Sequence, residues 1–128
     1  MKKEWNVDPA EAGNIMEYIS DEICSFLPEE KRMTTALLFE EAFMNVAIHA
    51  YETQSSSKPL KIIFEMSKKQ YLLTFVDYGQ EFDPTLYVPK EPTGQEIGGH
   101  GIRLLKEISQ SMKYKRTKDG QNILMIWL

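Results

Sequence analysis

Two pairs of strand-like segments in the second half of the chain constrain its fold more than any other feature. Residues 60–66 (LKIIFEM) and 71–77 (YLLTFVD) are rich in apolar, β-branched and aromatic side chains, with a turn between Ser67 and Gln70. Residues 112–118 and 121–128 repeat the arrangement around Asp119-Gly120, a dipeptide suited to tight hairpins. Connections this short join only neighbouring antiparallel strands. A wholly parallel sheet is therefore excluded.

The first half has a different period. Residues 3–7 (KEWNV) read as a short opening strand, and Asp8-Pro9 supplies an N-cap with proline at the first helical position. From 10 to 27 apolar residues fall at Ile15, Ile19, Ile23 and Phe26, with Met16 and Leu27 beside them, and Pro28 ends this helix. A second helix is expected over 29–53, with Ala36, Phe39, Phe43, Val46, Ala47 and Ala50 on its apolar face. Residues 54–59 (QSSSKP) form a polar loop. The stretch 78–100 has no sustained period and holds Pro84, Pro89, Pro92, Gly79, Gly94, Gly98 and Gly99. Structureless stretches above about 12–15 residues are uncommon in compact domains and often act as lids. Gly101 to Ser109 reads as a further helix. The order β-α-α-β-β-loop-α-β-β predicts an α+β two-layer sandwich, with helices on one face of a mixed, mostly antiparallel sheet. At 128 residues the chain is expected to form one domain over 1–128.

Composition narrows the function classes. Lys plus Arg total 15 against 19 Asp plus Glu, a formal net charge of −4, which argues against nucleic acid as a partner. Cys24 is the single cysteine, so no intrachain disulfide and no multi-thiolate zinc site can form. No apolar segment follows the two N-terminal lysines, and none approaches the roughly 18 residues of a spanning helix. The expectation is a cytoplasmic protein without a membrane partner.

Three motifs carry chemistry. Glu41, Asn45 and His49 are spaced four apart on the second helix and share a face. A solvated helix edge has this pattern too, but asparagine is a weak helix former. A carboxylate and an amide oxygen so placed could hold a hydrated Mg²⁺ or orient a nucleophile. Asp77-Tyr78-Gly79 closes a strand, either as a plain turn or as an acceptor for an exocyclic amine, with Gly79 letting a flat ring approach the backbone. Gly98-Gly99-His100-Gly101 opens a helix, either as a hinge or as free N–H groups facing phosphate. It is not a P-loop, because no Lys-Ser or Lys-Thr follows, and it lacks the βαβ setting of a dinucleotide fingerprint. Other residues read plainly. Lys113, Lys115, Arg116 and Lys118, with Tyr114, form a solvated strand face or a docking patch; Met16, Met33, Met44 and Cys24 fit the core.

Taken in order, the three motifs resemble the GHKL or Bergerat-fold ATP-binding superfamily, and within it the small bacterial anti-sigma factor serine-protein kinases. The likeness rests on Glu41, Asn45 and the HAY of 49–51, on Asp77-x-Gly79 with Phe82-Asp83-Pro84, and on Gly98-Gly99-His100-Gly101-Ile102. It runs from about residue 8 to 127. Histidine-kinase ATPase domains more usually have Asp-x-Gly-x-Gly, whereas here Glu81 and Phe82 follow Gln80. The resemblance implies that Asn45 binds a Mg²⁺ bridging the phosphates of ATP and that Glu41 acts as the general base or at least orients the attacking hydroxyl. It implies that Asp77 accepts from the adenine amino group, that Gly79 makes room for the ring, and that Gly99 and Gly101 approach the phosphates; His100 between them reads either as a further phosphate contact or as a plain solvent-exposed loop residue. The implied activity is ATP-dependent phosphorylation of a serine on an anti-anti-sigma antagonist. The implied second partner is a sigma factor, and a homodimer is compatible with many relatives. Relatives often place threonine near adenine in the last strand, where this chain has Met125. Two other readings stay open: a non-catalytic nucleotide-binding or partner-sequestering module of the same fold, and the ATP-binding half of a histidine kinase.

Overall fold

The structure is a computed structural model that describes residues 1–47, 58–68, 70–81, 83, 85 and 109–128. Strand β1 (Lys2–Val7) leads through a 3-10 turn (Pro9–Glu11) into α1 (Ala12–Ser25) and α2 (Glu29–Ala47). Then come β2 (Leu60–Ser67), β3 (Gln70–Asp77), β4 (Ser111–Arg116) and β5 (Asn122–Trp127). They form a five-stranded sheet in the order β1-β2-β3-β5-β4. Every pair is antiparallel. The expected α+β sandwich is present, and its described strands include no parallel pair. The apolar strand β5 (NILMIW) lies inside, while the charged β1 (KKEWNV) and β4 (SMKYKR) take the edges. Charged edges discourage pairing with another chain.

Asp8 does cap the chain's entry, but as an Asx turn: its Oδ1 accepts from the Ala10 N–H at 2.9 Å and its carbonyl from the Glu11 N–H at 2.8 Å. Those bonds hold 9–11 in the tighter turn, so α1 starts two residues later than its sequence suggests. The closing hairpin likewise turns over Thr117–Gln121, where the Thr117 N–H donates to the Gln121 carbonyl at 2.9 Å. Its strands are correspondingly shorter than 112–118 and 121–128. The expected helical residues 48–53, most of the 78–100 stretch and the helix over 101–109, except Ser109, lie outside the described residues.

Both helices bury one face against the same side of the sheet. Ile19, Ile23, Leu38, Phe39, Ala42 and Phe43 meet Leu60, Ile62, Phe64, Leu73, Phe75 and Ile126 in one core. Phe39 ties α2 to β3, with ring centroids 5.8 Å from Phe75 and 5.6 Å from Phe43. α1 is anchored over β1 by Trp5, whose Nε1 donates to Glu22, and by the Lys3–Glu22 ion pair. Met16 packs on the core as expected. Met33 and Met44 do not: they are 79% and 43% exposed, with Leu37 at 47% between them. They lie on the side of α2 opposite Thr35, Leu38, Phe39 and Ala42, so helical phase overrides their hydrophobicity. Cys24 is also outside the core. It is partly exposed, its thiol faces the Arg32 carbonyl, and partial burial pushes its pKa up.

The other face of the sheet carries Ile63, Leu72, Val76, Ile123, Met125 and Trp127, all partly exposed and none in the core.

Two glycines have opposite roles. Gly120 sits at φ +90°, where an added Cβ would find room but the backbone would be strained. Gly13 lies in the first turn of α1 with open space around it. Gly120→Ala is expected to cost about 1 kcal/mol, and Gly13→Ala to add about 0.5–1 kcal/mol. Urea midpoints of the two variants, moving in opposite directions, check this.

Candidate functional site

The site is built around the last residue of β3. Strand alternation points Leu73, Phe75 and Asp77 to the helix-covered face, so a carboxylate follows two core side chains inward. Asp77 is 6% exposed. Its Oδ1 accepts from the Gly79 N–H at 2.9 Å and from Asn122 Nδ2 at 2.8 Å. None of the described residues donates to its Oδ2. Burial pushes the Asp77 carboxyl above its ordinary range, while the Asn122 amide, the Gly79 N–H and the Arg116 charge pull it partly back.

Asn122 stands directly across the ladder from Asp77 and is 5% exposed. Its Nδ2 also reaches the carbonyls of Gln80 at 3.0 Å and Gly79 at 3.3 Å. Its Oδ1 accepts from Arg116 Nη1 at 2.9 Å and from the Tyr114 hydroxyl. Arg116 Nη1 donates in addition to the Gly79 carbonyl at 2.8 Å. Beside this cluster, Gln121 Nε2 donates to the Tyr78 hydroxyl at 2.7 Å, and Lys58 Nζ lies 4.5 Å from the Tyr78 ring centre.

The register shows which residue of the last strand stands beside Asp77. Met125 pairs with Thr74, three residues from Asn122 and on the opposite face, with the strand rise putting it about 10 Å away. The side chain beside Asp77 is therefore Asn122, which the sequence reading passed over. A signal was available: Asn122 is in phase with the buried Leu124, Ile126 and Leu128. The basic run is corrected. Tyr114 and Arg116 turn inward to Asn122, while Lys113, Lys115 and Lys118 are exposed.

Glu41 and Asn45 lie one turn apart near the end of α2, both partly exposed. Asn45 Nδ2 is buried and has no hydrogen-bond partner among the described residues. A buried amide donor left unmade costs about 1–3 kcal/mol, so its presence calls for an acceptor. Asp83 closes a local turn, accepting from the Thr85 N–H at 2.9 Å. His49, Phe82, Pro84, Gly98, Gly99, His100, Gly101 and Ile102 lie outside the described residues. The structure thus joins Asp77 and Gly79 in one network and sets Glu41 and Asn45 on one helix. Among the described residues no three His, Cys, Asp or Glu side chains converge as a metal site. No described helix is long and apolar enough to cross a membrane.

Residues 6–127 match the model of the histidine kinase-like ATPase domain. Among solved structures, the fold is similar to a chain of the SiaB–SiaC complex from Pseudomonas aeruginosa, with TM-score 0.60 and 10% identity over 98% of this chain and 88% of that one. It is also similar to the Acinetobacter baumannii histidine kinase AdeS, with TM-score 0.54 and 11% identity over 98% of this chain and 66% of that one. At these identities the likeness is one of fold. No curated protein sequence matches significantly.

Proposed function

Because this chain belongs to the histidine kinase-like ATPase domain family, we propose that residues 1–128 form one ATP-binding domain acting as a Mg²⁺-dependent protein serine kinase. The buried Asp77 carboxylate carries this reading. It is held on one oxygen by two donors, and its other oxygen has no donor among the described residues. A buried charge kept in this way at a strand end is better suited to meeting a ligand than to stabilising the fold.

In this reading Asp77 accepts from the exocyclic amine of adenine, and Gly79 lets the ring lie against the backbone. Asn45 fits a place at the phosphates, because its orphaned amide has both a donor and an acceptor to offer. Bound there, Mg²⁺ would neutralise phosphate charge. Glu41, one turn earlier, takes the proton from the attacking hydroxyl. Gly99, His100 and Gly101 are assigned to the phosphates from the sequence motif alone.

The acceptor is proposed to be a serine on an anti-anti-sigma antagonist, with a sigma factor as the alternate partner and the cytoplasm as the setting. Similarity to a chain from a two-protein complex supports a protein partner of some kind. The partly exposed apolar face of the sheet, which carries Ile63 and Trp127, is proposed as the surface on which a second copy packs. The alternative is a module that binds nucleotide and sequesters a partner without catalysis.

Calorimetry of ATP binding with and without Mg²⁺ tests the common premise. Micromolar affinity that weakens about tenfold or more without Mg²⁺ is expected, given what phosphate charge costs when left uncompensated. Absence of binding at millimolar ATP would reduce the protein to an interaction module.

A further inference from the structure

Asn122 has no hydrogen-bonding capacity left for a ligand. A primary amide has two N–H donors and one carbonyl oxygen with two lone pairs. Here the donors are shared among Asp77 Oδ1, the Gln80 carbonyl and the Gly79 carbonyl. Both lone pairs of Oδ1 are taken, by Arg116 and Tyr114. The residue is 5% exposed, so this saturation is maintained away from solvent. Asn122 cannot read a bound molecule directly, yet it touches the group proposed to do so.

Its contacts join three parts of the site. The end of β3 is held through Asp77, the following turn through residues 79 and 80, and the edge strand β4 through Arg116 and Tyr114. Together with the Gly79 N–H, Asn122 occupies Asp77 Oδ1 and leaves Oδ2 as the remaining acceptor. We infer that Asn122 is a positioning residue that fixes the Asp77 carboxylate in one orientation, so that the site takes a ring edge bearing an amino group and refuses one bearing a carbonyl. This rests on the ATP reading above and adds to it the residue that sets the selectivity.

The chemistry follows from the donor count. A carboxylate is acceptor-only, so it pairs with the amino group of adenine and opposes the carbonyl of hypoxanthine. Without the Asn122 donor, the buried carboxyl would take up a proton more readily and could donate to a carbonyl. Among the described residues, the charged group acting on Asp77 is Arg116 on β4, and the neutral Gly79 N–H is the other donor. Neither replaces the amide. Arg116 also bonds the Gly79 carbonyl, which ties it to the turn.

Valine and threonine match in shape, and only threonine can donate to Asp77, so Asn122→Val and Asn122→Thr isolate the donor. Affinities for ATP and ITP would be measured for both variants and the native protein. The titration of the Asp77 carboxyl would be followed by carbon NMR without nucleotide. The valine variant is expected to bind ATP about tenfold more weakly, with an ATP-to-ITP ratio falling towards one and an Asp77 midpoint above the native one. The threonine variant should recover most of each. Equal behaviour of the two variants, or a native ratio and midpoint in the valine variant, overturns the assignment. If the valine variant does not fold, Tyr114→Phe takes its place, removing one donor from Asn122 Oδ1; a two- to threefold drop in the ratio is expected, and no change counts against the proposal. Native protein that binds neither nucleotide overturns the ATP reading, and the nucleotide-free titration then decides the role of Asn122 separately.

Discussion

Glu41→Gln is expected to bind Mg²⁺-ATP within about twofold of the native protein while its turnover falls by about 10²–10⁴-fold, the range for loss of a positioned general base. Glutamine keeps the length and hydrogen-bonding reach of the side chain but cannot take up the proton. Glu41 lies one turn before Asn45, with the exposed Leu37 and Met44 on either side along α2. An acceptor that brought a hydroxyl to Glu41 would therefore meet apolar surface next to the carboxylate. The check is ADP formation from radiolabelled ATP, with and without a serine-bearing acceptor protein, alongside calorimetry on the same samples. Native turnover in the variant would place the base elsewhere. A loss of binding equal to the loss of turnover would make Glu41 a holder of the cation rather than the base.

Much of the fold could be read from local pattern. The two hairpins, both described helices and the opening strand follow from short-range periodicity and turn chemistry, down to the glycine that Thr117–Gln121 needs at φ +90°. Strand order could not be read that way. The insertion of β5 between β3 and β4 depends on which strand is suited to a neighbour along both of its edges, the apolar NILMIW rather than the charged SMKYKR. The site divides along the same line. Asp77 and Gly79 are a local motif and were legible. Asn122 becomes a site residue only through the register that sets it opposite Asp77, 45 positions away in the chain. Met125, singled out from the pattern of relatives, is three positions along and on the other face, because each single-residue step along a strand changes sides. Met33 and Met44 misled for a simpler reason: methionine is equally at home in a core and on an exposed apolar surface.

Asp77→Asn is expected to weaken ATP binding by roughly 10–100-fold, the worth of a charge-assisted hydrogen bond made in a buried site, and yet to leave the protein at least as stable at pH 7. The two effects have one cause. Burial holds the Asp77 carboxyl above its ordinary pKa in the folded protein, so ionising it works against folding. For a group raised in this way, the stabilising contribution is fully present below the unfolded pKa and is lost as pH rises through the folded pKa. At neutral pH the native protein therefore bears the cost of a buried charge that asparagine does not. Asparagine retains an oxygen acceptor for the Gly79 N–H and the Asn122 amide, so the network need not come apart. Melting temperatures of both proteins from pH 4 to pH 8 should show the variant's advantage largest at the upper end and shrinking towards acid. Unchanged ATP affinity would remove Asp77 from the base-recognition role. A variant much less stable at pH 7 would mean that the carboxylate holds the turn and β5 together, and its burial would then be structural. Weaker binding joined to equal or greater stability is the signature of a charge kept for its ligand at the expense of the fold.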